Sequence, residues 1–61
     1  MFIVETLSKG ERYFLKSTTW TSARERATEF QDEQAAEEGL ERARKFMKAA
    51  AYKAARVVRA A

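Results

Sequence analysis

The chain has no cysteine, no histidine and no proline, and only two glycines among its 61 residues. Without cysteine there is neither a disulfide staple nor a thiolate nucleophile, and without histidine the imidazole bases and the usual zinc ligands go too. A reducing compartment fits this composition. Gly10 and Gly39 stand far apart, so no glycine-rich phosphate loop exists. Apolar runs are short, and Phe2-Ile3-Val4 meets an acid at Glu5 with no basic lead-in, which reads as neither signal peptide nor membrane span. The expectation is a soluble, cytoplasmic protein without membrane contact. With no proline, no internal repeat and no low-complexity linker, residues 1–61 read as a single domain. A chain this short buries only about 60% of the surface its unfolded form exposes, so its own core is marginal and outside help is expected.

An enzyme built from what remains would need paired carboxylates in a sheltered cleft, a serine with a lysine base, or a carboxylate-held metal. Asp32, Glu33, Glu37, Glu38 and Glu41 do cluster. A solvated helix face explains them more simply, because so short a chain offers no walls for a pocket. The sequence therefore points away from catalysis and assigns no catalytic residue, metal or cofactor.

Phe2 to Leu7 and Arg12 to Thr18 are rich in β-branched and aromatic residues, and Ser8-Lys9-Gly10-Glu11 lies between them. This predicts a β-hairpin. A two-residue Lys9-Gly10 loop would put Phe2, Val4, Tyr13 and Leu15 on one face, whereas a three-residue loop would group Ile3, Leu7, Tyr13 and Leu15. Tyr13 and Leu15 belong to the core either way, and Phe14 makes the other face more apolar than solvent contact requires. Thr18 to Ser22 reads as a polar connection around Trp20, and Ser22-Ala23-Arg24-Glu25 has capping-box spacing for a short helical turn. Ala27 to Phe30 is expected to form a short third strand, with continuation of the turn as the alternative. Gln31-Asp32 supplies an N-cap, and Gly39 on the following apolar arc suggests close approach of the hairpin.

From Asp32 to about Arg59, Ala36, Leu40, Ala43, Phe46, Met47, Ala50, Ala51, Ala54, Val57 and Val58 fall on one arc at 100° per residue. The expected fold is α+β: an antiparallel hairpin, with a possible third strand, packed on one continuous helix over residues 32–59. That helix would be roughly 42 Å long, against strands of roughly 20 Å, and its far end would need a partner. Its charges segregate, with the five acids named above before Arg42 and only bases from Arg42 onward. The macrodipole accounts for the ends but not for the middle turns.

Leu40, Met47, Ala54 and Ala61 repeat at seven-residue spacing and, with Ala50, form a seam of mostly small residues. Two antiparallel copies would set acidic and basic halves against each other, so a homodimer is expected. Phe14, Trp20, Tyr52, Val57 and Val58 are apolar groups beyond the core's needs and are the expected partner contacts. The alternative is nucleic-acid binding through Lys45, Lys48, Lys53, Arg56 and Arg59 on a basic helix. The acidic first half of that helix opposes a backbone running along it.

The hairpin, Trp20-Thr21, a short charged turn, Ala27-x-x-Phe30, the acid-rich helix start and Ala35-Ala36 together resemble a type of small open reading frame common in tailed phages and prophages. The resemblance covers residues 2 to about 45. It implies a non-enzymatic protein that binds and inhibits a host protein in the host cytoplasm, in host takeover or anti-defence, as anti-CRISPR proteins do. It transfers no functional residue, and the Ala- and Arg-rich stretch after Lys45 departs from the pattern.

Overall fold

In the computed structural model, which describes residues 1–60, β1 (Phe2–Ser8) and β2 (Glu11–Lys16) form the expected hairpin. Lys9 and Gly10 turn the chain with φ of 53° and 81°. Two consecutive positive φ values make a type I′ turn, whose twist matches that of the strands it joins. Ser8 pairs with Glu11 and Glu5 with Phe14. Of the two registers the sequence allows, the two-residue loop forms, and Phe2, Val4, Tyr13 and Leu15 share the face that packs on the helix.

The polar connection is itself partly strand. β3 (Thr19–Thr21) pairs with β2, and Leu15 stands opposite Trp20. The next segment crosses the second face of the sheet, where a 3-10 turn at Arg24–Arg26 packs against β2, and Arg24 and Glu25 lie beside Ile3. No side chain caps that turn; the Thr21 hydroxyl instead accepts the Ala23 N–H at 3.1 Å. Residues 27–30 form no strand of their own but are tied to both hairpin strands, the Thr28 N–H donating to the Leu15 carbonyl at 2.9 Å. Phe30 and Phe2 exchange backbone hydrogen bonds of 2.8 and 2.7 Å.

Helix α1 (Glu33–Ala43) starts where expected, with the Asp32 carboxylate accepting the Ala35 N–H at 2.8 Å. It turns Ala36, Gly39 and Ala43 to the sheet, and Val4, Leu15, Ala36 and Ala43 are fully buried. Gly39 does mark a close approach, made by Phe30 rather than by the hairpin: a Cβ there would stand 2.6 Å from the Phe30 ring. Gly39→Ala gains about 1 kcal/mol of helix propensity but overpacks a ring whose backbone is tied to Phe2, at about 1–3 kcal/mol. A net loss of about 1 kcal/mol in urea unfolding is expected. In a Phe30→Ala background the sign should reverse.

The continuous helix does not form. After α1 the chain tightens into a 3-10 turn at Arg44–Phe46, becomes extended at Met47 (ψ 159°) and Lys48 (ψ 150°), and makes a short helix α2 (Ala49–Ala54). Ala55 is extended again, and β4 (Arg56–Arg59) returns antiparallel to β1, giving a four-stranded sheet in the order β3-β2-β1-β4. The fold is α+β with a shorter helix than expected. A rod of roughly 42 Å would overrun a molecule whose longest extent is 27 Å, leaving its apolar side in water. Folding back lets Met47, Ala55 and Val57 pack on the core instead. It also gives two β-branched valines the conformation they favour and closes one open edge of β1.

The expected helical seam is dispersed by this return. Leu40 is on α1 and half-buried, Met47 sits in the break against the core, and Ala50 and Ala54 are exposed on α2. Ala61 lies outside the described residues. With its members on three different segments, no continuous small-residue stripe exists among the described residues, and the helix-to-helix dimer loses its basis.

Candidate interaction surface

A cleft opens at the break around Met47, between the sheet and the joint that leads into α2. Tyr13 and Trp20 come from β2 and β3, Thr6 and Ser8 from β1, and Phe46, Met47, Lys48 and Ala51 from the joint and α2. Its volume is about 350 Å³, at the small end of the ~300–1,000 Å³ typical of ligand pockets. The Thr6 hydroxyl donates to the Ala51 carbonyl at 2.8 Å, which pins α2 over β1 and fixes one wall. Phe46 is 61% exposed, and it also lines a wider groove with Thr18, Glu41, Arg42, Arg44 and Lys45. It thus stands as a ridge between two depressions. The Lys45 ammonium lies 5.2 Å from its ring centroid.

Trp20 packs against the core and lines the cleft, and its indole N–H is buried without an acceptor. An unmade buried hydrogen bond costs about 1–3 kcal/mol. A phenylalanine would avoid that penalty but, being smaller, would leave part of the space unfilled.

The other expected contacts are distributed differently. Phe14 is 7% exposed on the second face, closed off to any partner because residues 22–27 cross that face. Val57 and Val58 are half-buried in β4, paired with Val4 and Ile3 rather than presented by a helix end. Tyr52 remains partly exposed on α2; its hydroxyl donates to Glu41 Oε2 at 2.8 Å, and the Arg44 guanidinium sits 4.6 Å from its ring centroid. The hydrogen bond to Glu41 raises its pKa above the ordinary tyrosine value. The contact ties α2 to α1 across the break and makes Tyr52 a brace.

The five basic residues no longer share a helix face. Lys45 is in the 3-10 turn, Lys48 in the break, Lys53 on α2, and Arg56 and Arg59 on β4. Arg59 stands opposite Phe2 on the helix side of the sheet, and Arg56 opposite Glu5 on the second face. The continuous basic strip expected for phosphate contact is therefore broken.

One cluster escaped the sequence reading. Glu5, 7% exposed, lies on the second face between Arg56, whose Nε and Nη2 are each 3.1 Å from its Oε1, and Arg12, whose Nε is 3.6 Å from its Oε2. Pairing across 51 residues leaves no local signal, and only the return of β4 creates it. The acids of α1 are exposed, and among the described residues no group of three or more metal-binding side chains comes together. No helix of the described residues is long and apolar enough to cross a membrane. Set against protein families, curated proteins and solved structures, the chain matches none of the three.

Proposed function

We propose that this chain is a non-enzymatic protein-binding module that engages its partner through the cleft around Trp20, Phe46 and Met47. The observation that carries this is Phe46, an aromatic side chain left 61% exposed beside an open apolar cleft in a protein whose core has every use for it. Exposed aromatic anchors flanked by pockets supply a large share of the energy in protein interfaces, and the cleft beside Phe46, about 350 Å³ in volume, has room for a partner's side chains. The resemblance of residues 2 to about 45 to small phage and prophage proteins supports a further reading, that the partner is a host protein whose action is blocked by occupation.

Phe46→Ser tests the proposal. As a surface change away from the core it is expected to alter stability by less than about 0.5 kcal/mol, while weakening the partner at least about 30-fold, the range of a hot-spot residue. Immobilised wild-type and variant chains exposed to a bacterial lysate should differ in a specific captured protein, whose affinity and activity are then measured with purified components. Equal capture by both chains, or none by either, would sink the reading.

A further inference from the structure

We infer that the outer edge of β4 is a second docking site, which takes an extended acidic segment of another protein as a fifth strand of the sheet. The strand order leaves β4 at the edge. Ala60 N–H donates to the Met1 carbonyl at 2.9 Å. Antiparallel alternation therefore directs the N–H and C=O groups of Val57 and Arg59 away from β1. Such a row of main-chain groups is what β-strand addition uses. At the opposite edge, β3 has three residues against the four of β4.

The side chains say what kind of strand fits. Read along the edge, Arg56-Val57-Val58-Arg59 presents cation, apolar, apolar, cation, with Arg56 and Val58 on one face and Val57 and Arg59 on the other. Both arginines are held in place. Glu5 fixes Arg56 at 3.1 Å but is shared with Arg12, so one carboxylate offsets two guanidiniums. Arg59 rests 5.8 Å from the Phe2 ring centroid. No acid follows Glu41 in the chain, so nothing on the same segment offsets this charge. Directly opposed side chains on neighbouring strands interact, favourably when their charges are opposite. The complement is an acid-apolar-apolar-acid segment. Since that pattern is the same in both directions, either strand polarity fits. A second copy of this chain fits poorly, because pairing β4 with itself gathers the arginines of both copies along one seam, and charged edges of this kind discourage self-association.

This site uses main-chain groups on a surface the cleft does not share, and it stands or falls apart from the function proposed above. The probe is a fluorescent Ser-Gly-Glu-Val-Val-Glu-Gly-Ser peptide titrated against the full chain by anisotropy. It should saturate, bind at least about tenfold more tightly than its Lys-Val-Val-Lys counterpart, and lose about tenfold with Arg59→Glu. Val57→Pro removes an outward N–H without touching the β1 ladder, as edge positions permit, and should abolish binding with an unchanged circular dichroism spectrum. Should that variant unfold, a peptide N-methylated at alternate residues, so that it cannot complete the ladder, serves against the unaltered chain and should not bind. Equal affinity of the methylated peptide, or equal competition by random duplex DNA, would show attraction by charge alone and overturn the inference. So would the absence of saturable binding, or sedimentation showing a dimer that Val57→Pro dissolves.

Discussion

A chain ending at Ala55 is expected not to fold. Residues 56–60 look like a dispensable tail, yet Val57 packs on the core, Val58 stands beside Ile3, and Arg56 carries the closest contacts to buried Glu5. Fully burying a valine contributes roughly 1.5–3 kcal/mol, so two half-buried valines supply about 1.5–3 kcal/mol. Exposing the β1 edge and removing a partner of a buried carboxylate adds about 1–3 kcal/mol more. For a domain of 61 residues, total stability is about 3–9 kcal/mol. The loss is of the same size as the whole. Circular dichroism of residues 1–55 should show a largely unfolded chain at room temperature. Cooperative urea unfolding at the full-length midpoint would mean that β4 contributes nothing, as a fraying helix end would.

Replacing both Arg12 and Arg56 by methionine is expected to destabilise by about 2–3 kcal/mol. Breaking a buried ion pair by removing one side strands a charge, and in full burial that costs about 3–5 kcal/mol. Here the Glu5 side chain is 9% exposed but its partners are 62% and 70% exposed, and solvent screening of that order lowers the figure. The value of the arginines lies in what they prevent. Adding Glu5→Met to the double variant should recover most of the loss, since an apolar group of similar volume leaves no charge to solvate. Urea midpoints of the double and triple variants decide the matter. A double variant within about 0.5 kcal/mol of wild type, the range of ordinary surface changes, would show that water already solvates Glu5.

The elements that can be read locally are those whose causes are local. Gly10 between two β-rich runs announces a hairpin but allows a two- or a three-residue loop, and the structure takes the first, with positive φ at both Lys9 and Gly10. Asp32 caps α1, and Ala36 and Ala43 face the sheet as their spacing requires. Trp20 stands out in the sequence as an apolar group beyond the core's needs, and it lines the cleft while also packing on the core. The burial of Phe14 was not legible, because surplus apolar area on the hairpin's second face signals a cover without saying whether it comes from a partner or from the chain itself. Residues 22–27 supply it. Phe46 falls on the apolar arc of the expected helix, but α1 ends at Ala43 and leaves it exposed.

The sequence by itself determined the hairpin, the start of α1 and the face that α1 buries, since each depends on backbone preferences and side-chain periods within a few residues; the hairpin's register came from the structure. Only the tertiary structure decided the fate of residues 44–60. Val57 and Val58 fit a 100° arc in a helix and equally a strand that buries one valine on each face, and alanine-rich neighbours favour the helix locally. What tips the balance is an open edge of β1, where Ile3 and Val4 offer burial that a projecting helix could not reach. The same return assembles the cleft, the Glu5 cluster and the β4 edge from residues distant in sequence, which is why the sequence singles out several of their members, Trp20 and Val57 among them, without showing which come together.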